Sequence, residues 1–170
     1  LFFGRIDHYK DIDGLIRSFR ELPAQNYQLA IVGPCSDNQL LESLNELTQG
    51  AQHIRVLQSF FPEADLASLF SMSDLVILPF KKILNSGSVM LALSFGKPVL
   101  VPAMGSIIEV QEIVGAQAIC TYSQLTTEAI AMAFNTAQPP QRKDLDTFSL
   151  EVVGKMYQDF FSEIMRADSK

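Results

Sequence analysis

A chain of 170 residues, 48% of them hydrophobic and with a mean hydropathy of +0.16, is long enough and apolar enough to bury one full core rather than remain disordered. Its formal net charge of −6 and pI near 4.8 argue against a nucleic-acid binder, which shows a basic face, but leave room for a local phosphate site. Cys35 and Cys120 lie far apart and, with His8 and His53, give no disulfide framework and no metal-ligand spacing; this fits a reducing cytosol, and no signal peptide or apolar run of ~18 residues is present.

The chain starts without Met, directly on Leu1-Phe-Phe-Gly4, which reads as a core strand. We therefore expect a piece cut at a domain boundary. Asp11 to Leu22 reads as a helix with Ile12, Leu15, Ile16 and Phe19 on one face. Tyr27 to Gly33 is a second strand, ended by Gly33-Pro34. Asp37 can cap a helix that runs to about Thr48 with Leu40, Leu41, Leu44 and Leu47 inward. His53 to Leu57 is a short third strand. Pro62 opens a helix to Met72, with Glu63 and Asp65 suited to its first turn.

Asp74 to Phe80 is a continuous apolar run, as a strand covered on both faces should be. A short loop leads to a helix from Val89 to Phe95, which Gly96-Lys97-Pro98 stops, and Val99 to Pro102 begins the next strand. Gly105 to Glu109 turns into a helix ending near Val114. Gln117 to Tyr122 is a sixth strand and Thr126 to Thr136 is helical. Gln138 to Lys143 is a polar break, and Ser149 to Ala167 is a long amphipathic helix carrying Val152, Val153, Met156, Phe160 and Ile164. Strands alternate with helices throughout. The fold class is thus α/β, a doubly wound parallel sheet of about six strands in a Rossmann-like three-layer α/β/α arrangement.

The loop Asn85-Ser86-Gly87-Ser88 lies where a parallel strand hands over to a helix. Its hydroxyls and free backbone N–H groups, with the positive end of the helix dipole, form a ready phosphate site at the sheet edge where open α/β folds bind ligands. Arg5, Lys10, Lys81, Lys82 and Lys97 fall near strand ends or the loops after them. Lys81 and Lys82 read as solvated charges, and His8, between Arg5 and Lys10, is disfavoured as a ligand contact.

The order of these pieces resembles the C-terminal, nucleotide-sugar-binding domain of a GT-B glycosyltransferase, and within that fold the family 4 (group 1) retaining enzymes. Gly4-Arg5 followed by Lys10-Asp11 resembles the family's Gly-Arg and Lys-Gly. Val32-Gly33-Pro34, the stretch from Phe61-Pro62 to Pro79, Ala92 to Pro98, and Gly105 to Glu109 match further motifs in register. The resemblance implies that Arg5 and Lys10 neutralise the departing donor diphosphate, as two cations from one loop can. Gly4, Ser86, Gly87 and Ser88 would complete the phosphate site. Two family glutamates that contact sugar and ribose are replaced by Ile83 and Leu91, which cannot hydrogen-bond a hydroxyl. Glu109 or Asn85 is left for the ribose or sugar contact, and Phe61 and Pro62 would flank the base.

What the resemblance implies is the donor-binding half of an enzyme that moves a sugar from a nucleoside diphosphate sugar to a glycan or lipid-linked acceptor in cell-surface polysaccharide synthesis. Retention of configuration, no metal and no cofactor go with it. Residues 1–148 would bind the nucleotide sugar. Residues 149–170 would form a helix crossing to a missing N-terminal domain, which would supply the acceptor site. The expected location is cytoplasmic, at the inner face of a membrane if the missing domain associates peripherally. Alone, the chain is expected to bind donor weakly and catalyse nothing. Two other readings stay open: a non-catalytic glycosyltransferase-like partner module, and a sugar-nucleotide epimerase of the same fold. A dinucleotide enzyme is disfavoured, because no G-x-G-x-x-G follows the first strand.

Overall fold

The computed structural model of the chain describes residues 1–58, 63–82 and 87–167. The expectations for Phe61, Pro62, Ile83, Asn85 and Ser86 lie outside the described residues. Two compact units are present, Leu1–Pro140 and Gln141–Lys170.

In the first unit, strands and helices alternate: β1 (Phe2–Phe3), α1 (Ile12–Arg20), β2 (Leu29–Val32), α2 (Asn38–Thr48), β3 (Ile54–Leu57), α3 (Glu63–Ser71), β4 (Val76–Ile77), α4 (Gly87–Ser94), β5 (Val99–Pro102), α5 (Ile107–Val114), β6 (Ile119–Tyr122) and α6 (Thr127–Thr136). All pairings between these strands are parallel, in two three-stranded sheets of order β1-β2-β3 and β4-β5-β6. The sheets meet edge to edge. The Leu1 nitrogen donates to Leu75 O and the Ile77 N–H to Leu1 O, both at 2.8 Å. β1 thus lies beside β4, and the chain winds outward from that seam in both directions. Such a seam is the topological switch point of a doubly wound sheet, and its C-terminal edge is where ligands bind.

Burial explains the apolar runs. Leu75 to Leu78 and Val99 to Val101 are each no more than 1% exposed, because helices cover both faces of these strands. β1 needs only two residues to reach both layers, since successive side chains point to opposite faces. Phe3 packs edge-on against Phe70 of α3 at 4.8 Å, and Phe70 stacks on Phe95 at 4.6 Å. Phe2, on the other face, lies under the ammonium of Lys10. α1 buries Ile12, Leu15, Ile16 and Phe19 as their spacing predicts, each contributing ~1.5–3 kcal/mol before the entropy of ordering is subtracted. It packs on α2 and α6, and the Ser18 hydroxyl donates to Leu125 O while the Thr127 hydroxyl donates to Ser18 O.

Several expectations are corrected in detail. The Asp74 to Phe80 run makes a ladder only at Val76–Ile77. Beyond it the backbone turns to serve the loop after β1. On α2 only Leu44 is fully buried, while Leu40, Leu41 and Leu47 are half-buried. α4 starts at Gly87 rather than Val89, and Phe95 lies just past its end. The polar break is partly helical: α7 (Arg142–Leu145) is followed by a 3-10 turn at Asp146–Phe148 and then α8 (Leu150–Ala167). On α8, Leu150, Met156 and Tyr157 are exposed.

Asp37 caps α2 as expected, accepting from the N–H groups of Gln39 and Leu40. It also meets His8 Nε2 at 2.9 Å, which ties the loop after β1 to this helix. The Leu40 N–H, then His8, hold its carboxyl below the ordinary 3.8. With the folded pKa below the unfolded one, this contribution is complete above the unfolded value and is lost as pH falls through the folded value. Asp37→Ala should lower the thermal midpoint measurably. Asp37→Asn, which keeps the cap but loses the charge, should lower it less and flatten its decline at acid pH. Scans by circular dichroism across that range check both.

Candidate functional site

β1 is followed by Gly4, whose N–H donates to Val32 O at 3.0 Å. The chain then leaves the sheet with φ +107 at Gly4, a conformation that glycine adopts without strain. Gly33, at the end of β2, lets the two strand ends come together. A Cβ built on Gly33 would stand 2.0 Å from Gly4 O. The Ile6 N–H donates to Pro34 O at 2.9 Å and holds the next turn of the loop against the same strand end.

The far side of this loop is sewn to the loop after β4. The Asp11 N–H donates to Pro79 O at 2.6 Å and the Lys81 N–H to Tyr9 O at 2.9 Å, and Lys10 and Phe80 form an antiparallel bridge. Lys81 is therefore not a freely solvated charge. Its ammonium lies 3.6 Å from Asp11 and 3.7 Å from Asp13, joining the β4 loop to the start of α1. Asp11 faces this cation and gives α1 no side-chain cap.

Among the described residues Lys10, at 4% exposed, is the one buried charged side chain, and no ion pair reaches it. Its Nζ lies 4.9 Å from the ring centre of Phe2, 5.4 Å from that of Tyr9 and 5.9 Å from that of Phe80. Burial pulls its pKa down from 10.5 to about 8; Asp7 nearby opposes this and Arg5 reinforces it. A Cβ built on Gly4 would fall 3.1 Å from Lys10 Nζ and 3.8 Å from Ser88 Oγ. Gly4, Lys10 and Ser88 therefore converge on one spot, although 78 residues separate Lys10 from Ser88. An ammonium and a hydroxyl set beside the start of a helix suit an anion.

Arg5 is exposed beside this spot and is close enough to act on Lys10 electrostatically. Gly87 begins α4, and no Cβ at this position would meet a heavy atom within 4 Å. Ser86 and Asn85 lie outside the described residues. Glu109 is exposed in the first turn of α5, at the C-terminal edge of the same sheet, and no bond among the described residues joins it to Lys10 or Ser88. Two of the clefts among the described residues lie elsewhere. One, of about 320 Å³, opens among Leu1, Tyr27, Met72, Asp74 and Phe134; the other, of about 530 Å³, runs along β6 and α6 past Gln111, Tyr122 and Glu128. Neither includes Arg5, Lys10 or Ser88. The three aromatic rings around Lys10 were not singled out in the sequence; nothing in its pattern brings Phe80 to Lys10.

The family model for group 1 glycosyl transferases matches residues 1–137. The chain belongs to this family. Two curated relatives share its sequence, both named GDP-mannose:glycolipid 4-beta-D-mannosyltransferase and both from Xanthomonas campestris pv. campestris. One is 34% identical over 115 residues, covering 68% of this chain and 33% of the relative. The second is 33% identical over 102 residues, covering 60% and 29%. The chain thus spans about a third of the length of the curated relatives it matches. Among solved structures, Anabaena Alr3699/HepE in complex with UDP and glucose superposes with a TM-score of 0.72 at 18% identity, over 95% of this chain and 47% of that one. Sucrose-phosphate synthase from Thermosynechococcus elongatus superposes at 0.68 and 18% identity, over 98% and 45%. At these identities the likeness concerns the fold alone, and it agrees with the doubly wound α/β reading.

Proposed function

We propose that this chain is the donor-binding part of a glycosyltransferase that moves a sugar from a nucleoside diphosphate sugar to a glycan or lipid-linked acceptor. The observation that carries the reading is the convergence of Lys10, Gly4 and Ser88 at the switch point of the sheet. There Lys10 and Arg5 would neutralise the leaving diphosphate as its bond to the sugar breaks, and the start of α4 would add backbone N–H groups. With two side-chain cations in place, the reaction would need no metal. Glu109, and Asn85 in the loop before α4, would be the groups left for ribose or sugar. Guanosine is the favoured base, because the relatives at 34% and 33% identity are named for GDP-mannose, whereas the UDP-bound neighbour shares only 18%.

An acceptor site and the remaining catalytic groups would lie in a further domain of a longer protein. This chain alone would then bind nucleotide weakly and transfer nothing. No described helix is long and apolar enough to cross a membrane. Work at the cytoplasmic membrane face, on a lipid-linked acceptor in polysaccharide synthesis, is part of the same proposal.

Calorimetric titration with GDP, UDP and ADP, with and without EDTA, tests this reading. GDP should bind best, and EDTA should change nothing. Failure of all three to bind, both to the folded chain and to the longer protein, would refute it. Ile83 and Leu91, in place of the two family glutamates, support one second reading, a non-catalytic partner module. A transfer assay on the longer protein with GDP-mannose separates the two. Proton NMR of the product would then tell retention, which the family resemblance implies, from inversion, which a β-mannoside made from GDP-α-mannose needs. The group 1 glycosyl transferase match over residues 1–137 favours sugar transfer over the epimerase reading.

A further inference from the structure

Lys10 is held in an unusual way for a buried cation. A buried ammonium is ordinarily paired with a carboxylate, yet here three aromatic rings stand within 6 Å of it and no ion pair reaches it among the described residues. The rings come from three places in the chain: Phe2 from β1, Tyr9 from the loop after β1, and Phe80 from the loop after β4. Main-chain bonds join these loops, so Tyr9 and Phe80 are fixed by the same contacts that fix Lys10.

We infer that Tyr9 and Phe80, with Phe2 beneath, form an aromatic cage that stands in for a counter-ion and positions the Lys10 ammonium for the donor's diphosphate. This rests on the proposed donor site and names what prepares it. A ring face attracts the cation through its quadrupole without accepting a conventional hydrogen bond. Among the described residues no carboxylate therefore holds the ammonium donors. A carboxylate would occupy those donors and would have to be displaced by each incoming diphosphate. Tyr9 and Phe80 are thus positioning residues that act through Lys10.

The charged and titratable groups around the cage are few. Asp7 and Arg5 lie on the same loop and oppose each other in their effect on Lys10, and Tyr9 carries a phenol. In the β4 loop Lys81 is countered by Asp11 and Asp13, and Lys82 is exposed. α4 carries no charged side chain.

Tyr9 is the wall to change, because at 45% exposure it is not needed for the core. The readout is titration of the Lys10 amine by NMR on lysine-labelled chain without nucleotide, its signal assigned by its loss in Lys10→Met. Tyr9→Leu keeps an apolar cover but removes the ring, so the titration midpoint should fall by about half a pH unit. Tyr9→Phe keeps the ring and should leave it in place, a rescue that a merely structural role would not predict for one variant alone. Tyr9→Ala admits water and should move the midpoint upward. Phe80→Leu, read in the same way, should repeat the downward shift. An unchanged or raised midpoint in Tyr9→Leu overturns the cage. Because this reading uses no ligand, it is separate from the donor proposal. A parallel GDP titration of the same samples, with no binding by wild type at any pH, would refute the donor site and leave the cage measured.

Discussion

Replacing Lys10 with methionine is expected to weaken nucleoside diphosphate binding about 10- to 100-fold while leaving the chain folded, and at neutral pH more stable than wild type. The first effect follows from charge-assisted hydrogen bonds to a phosphate, each worth ~1.5–3 kcal/mol where water is largely excluded. The second follows from the cost of burying the ammonium. Lys10 is 4% exposed and its pKa is pulled from 10.5 to about 8, chiefly by desolvation. A folded pKa below the unfolded one means that the unfolded chain binds more protons between these values. Wild-type stability should therefore rise with pH from about 8 to 10.5, as the buried charge is relieved. The same shift corresponds to a penalty on the order of 3 kcal/mol at neutral pH, which a methionine among Phe2, Tyr9 and Phe80 would not carry. Binding runs the opposite way in pH: wild-type affinity should decline above about pH 8 as the ammonium is lost, and that of the variant should stay flat. Calorimetry at pH 7 and 9, together with urea melts, reads both effects. Equal nucleotide affinity in the two proteins would remove Lys10 from the site.

Gly33→Ala should be the more damaging change to the fold, although it adds a single methyl group. The new Cβ would stand 2.0 Å from Gly4 O and 2.7 Å from Gly4 C, so backbone rather than a flexible side chain must give way. Overpacking of this kind costs ~1–3 kcal/mol, here toward the upper end, or several degrees of thermal midpoint for a domain of this size. The strain falls on the turn that starts the Arg5–Lys10 loop, so nucleotide binding should weaken as well. Gly96→Ala is the control. Gly96 has φ +70 but no atom within 4 Å of a built Cβ, which leaves only the left-handed penalty of about 1 kcal/mol. If Gly33→Ala melts no earlier than Gly96→Ala, the close approach of the two strand ends is not what Gly33 provides.

Much of the architecture was legible before any coordinates, because its signals are local. The Ile12, Leu15, Ile16, Phe19 spacing marks a helix face, the unbroken run around Val76 marks a doubly covered strand, and Asp37 ahead of Leu40 and Leu41 marks a helix start. Each depends on residues within one or two turns of one another. Where local pattern overstated order, tertiary demands intervened. The Asp74 to Phe80 run bonds β5 no further than Leu78, and past it Pro79 and Lys81 bond the loop after β1. Leu40 and Leu47 stay half-buried because only one line of α2 faces the core.

By itself, then, the order of residues determined the alternation of strands and helices, the family, and the two cations of the first loop, since periodicity, capping and motif spacing are written along the chain. The tertiary structure alone decided that Lys10 is buried, that the Phe80 ring stands 5.9 Å from its ammonium, that Lys81 belongs to Asp11 and Asp13, and that His8 belongs to Asp37. The physical reason is the same in each case. Burial, ring contact and charge pairing depend on distance in space, and that distance is set where β1 and β4 are brought side by side.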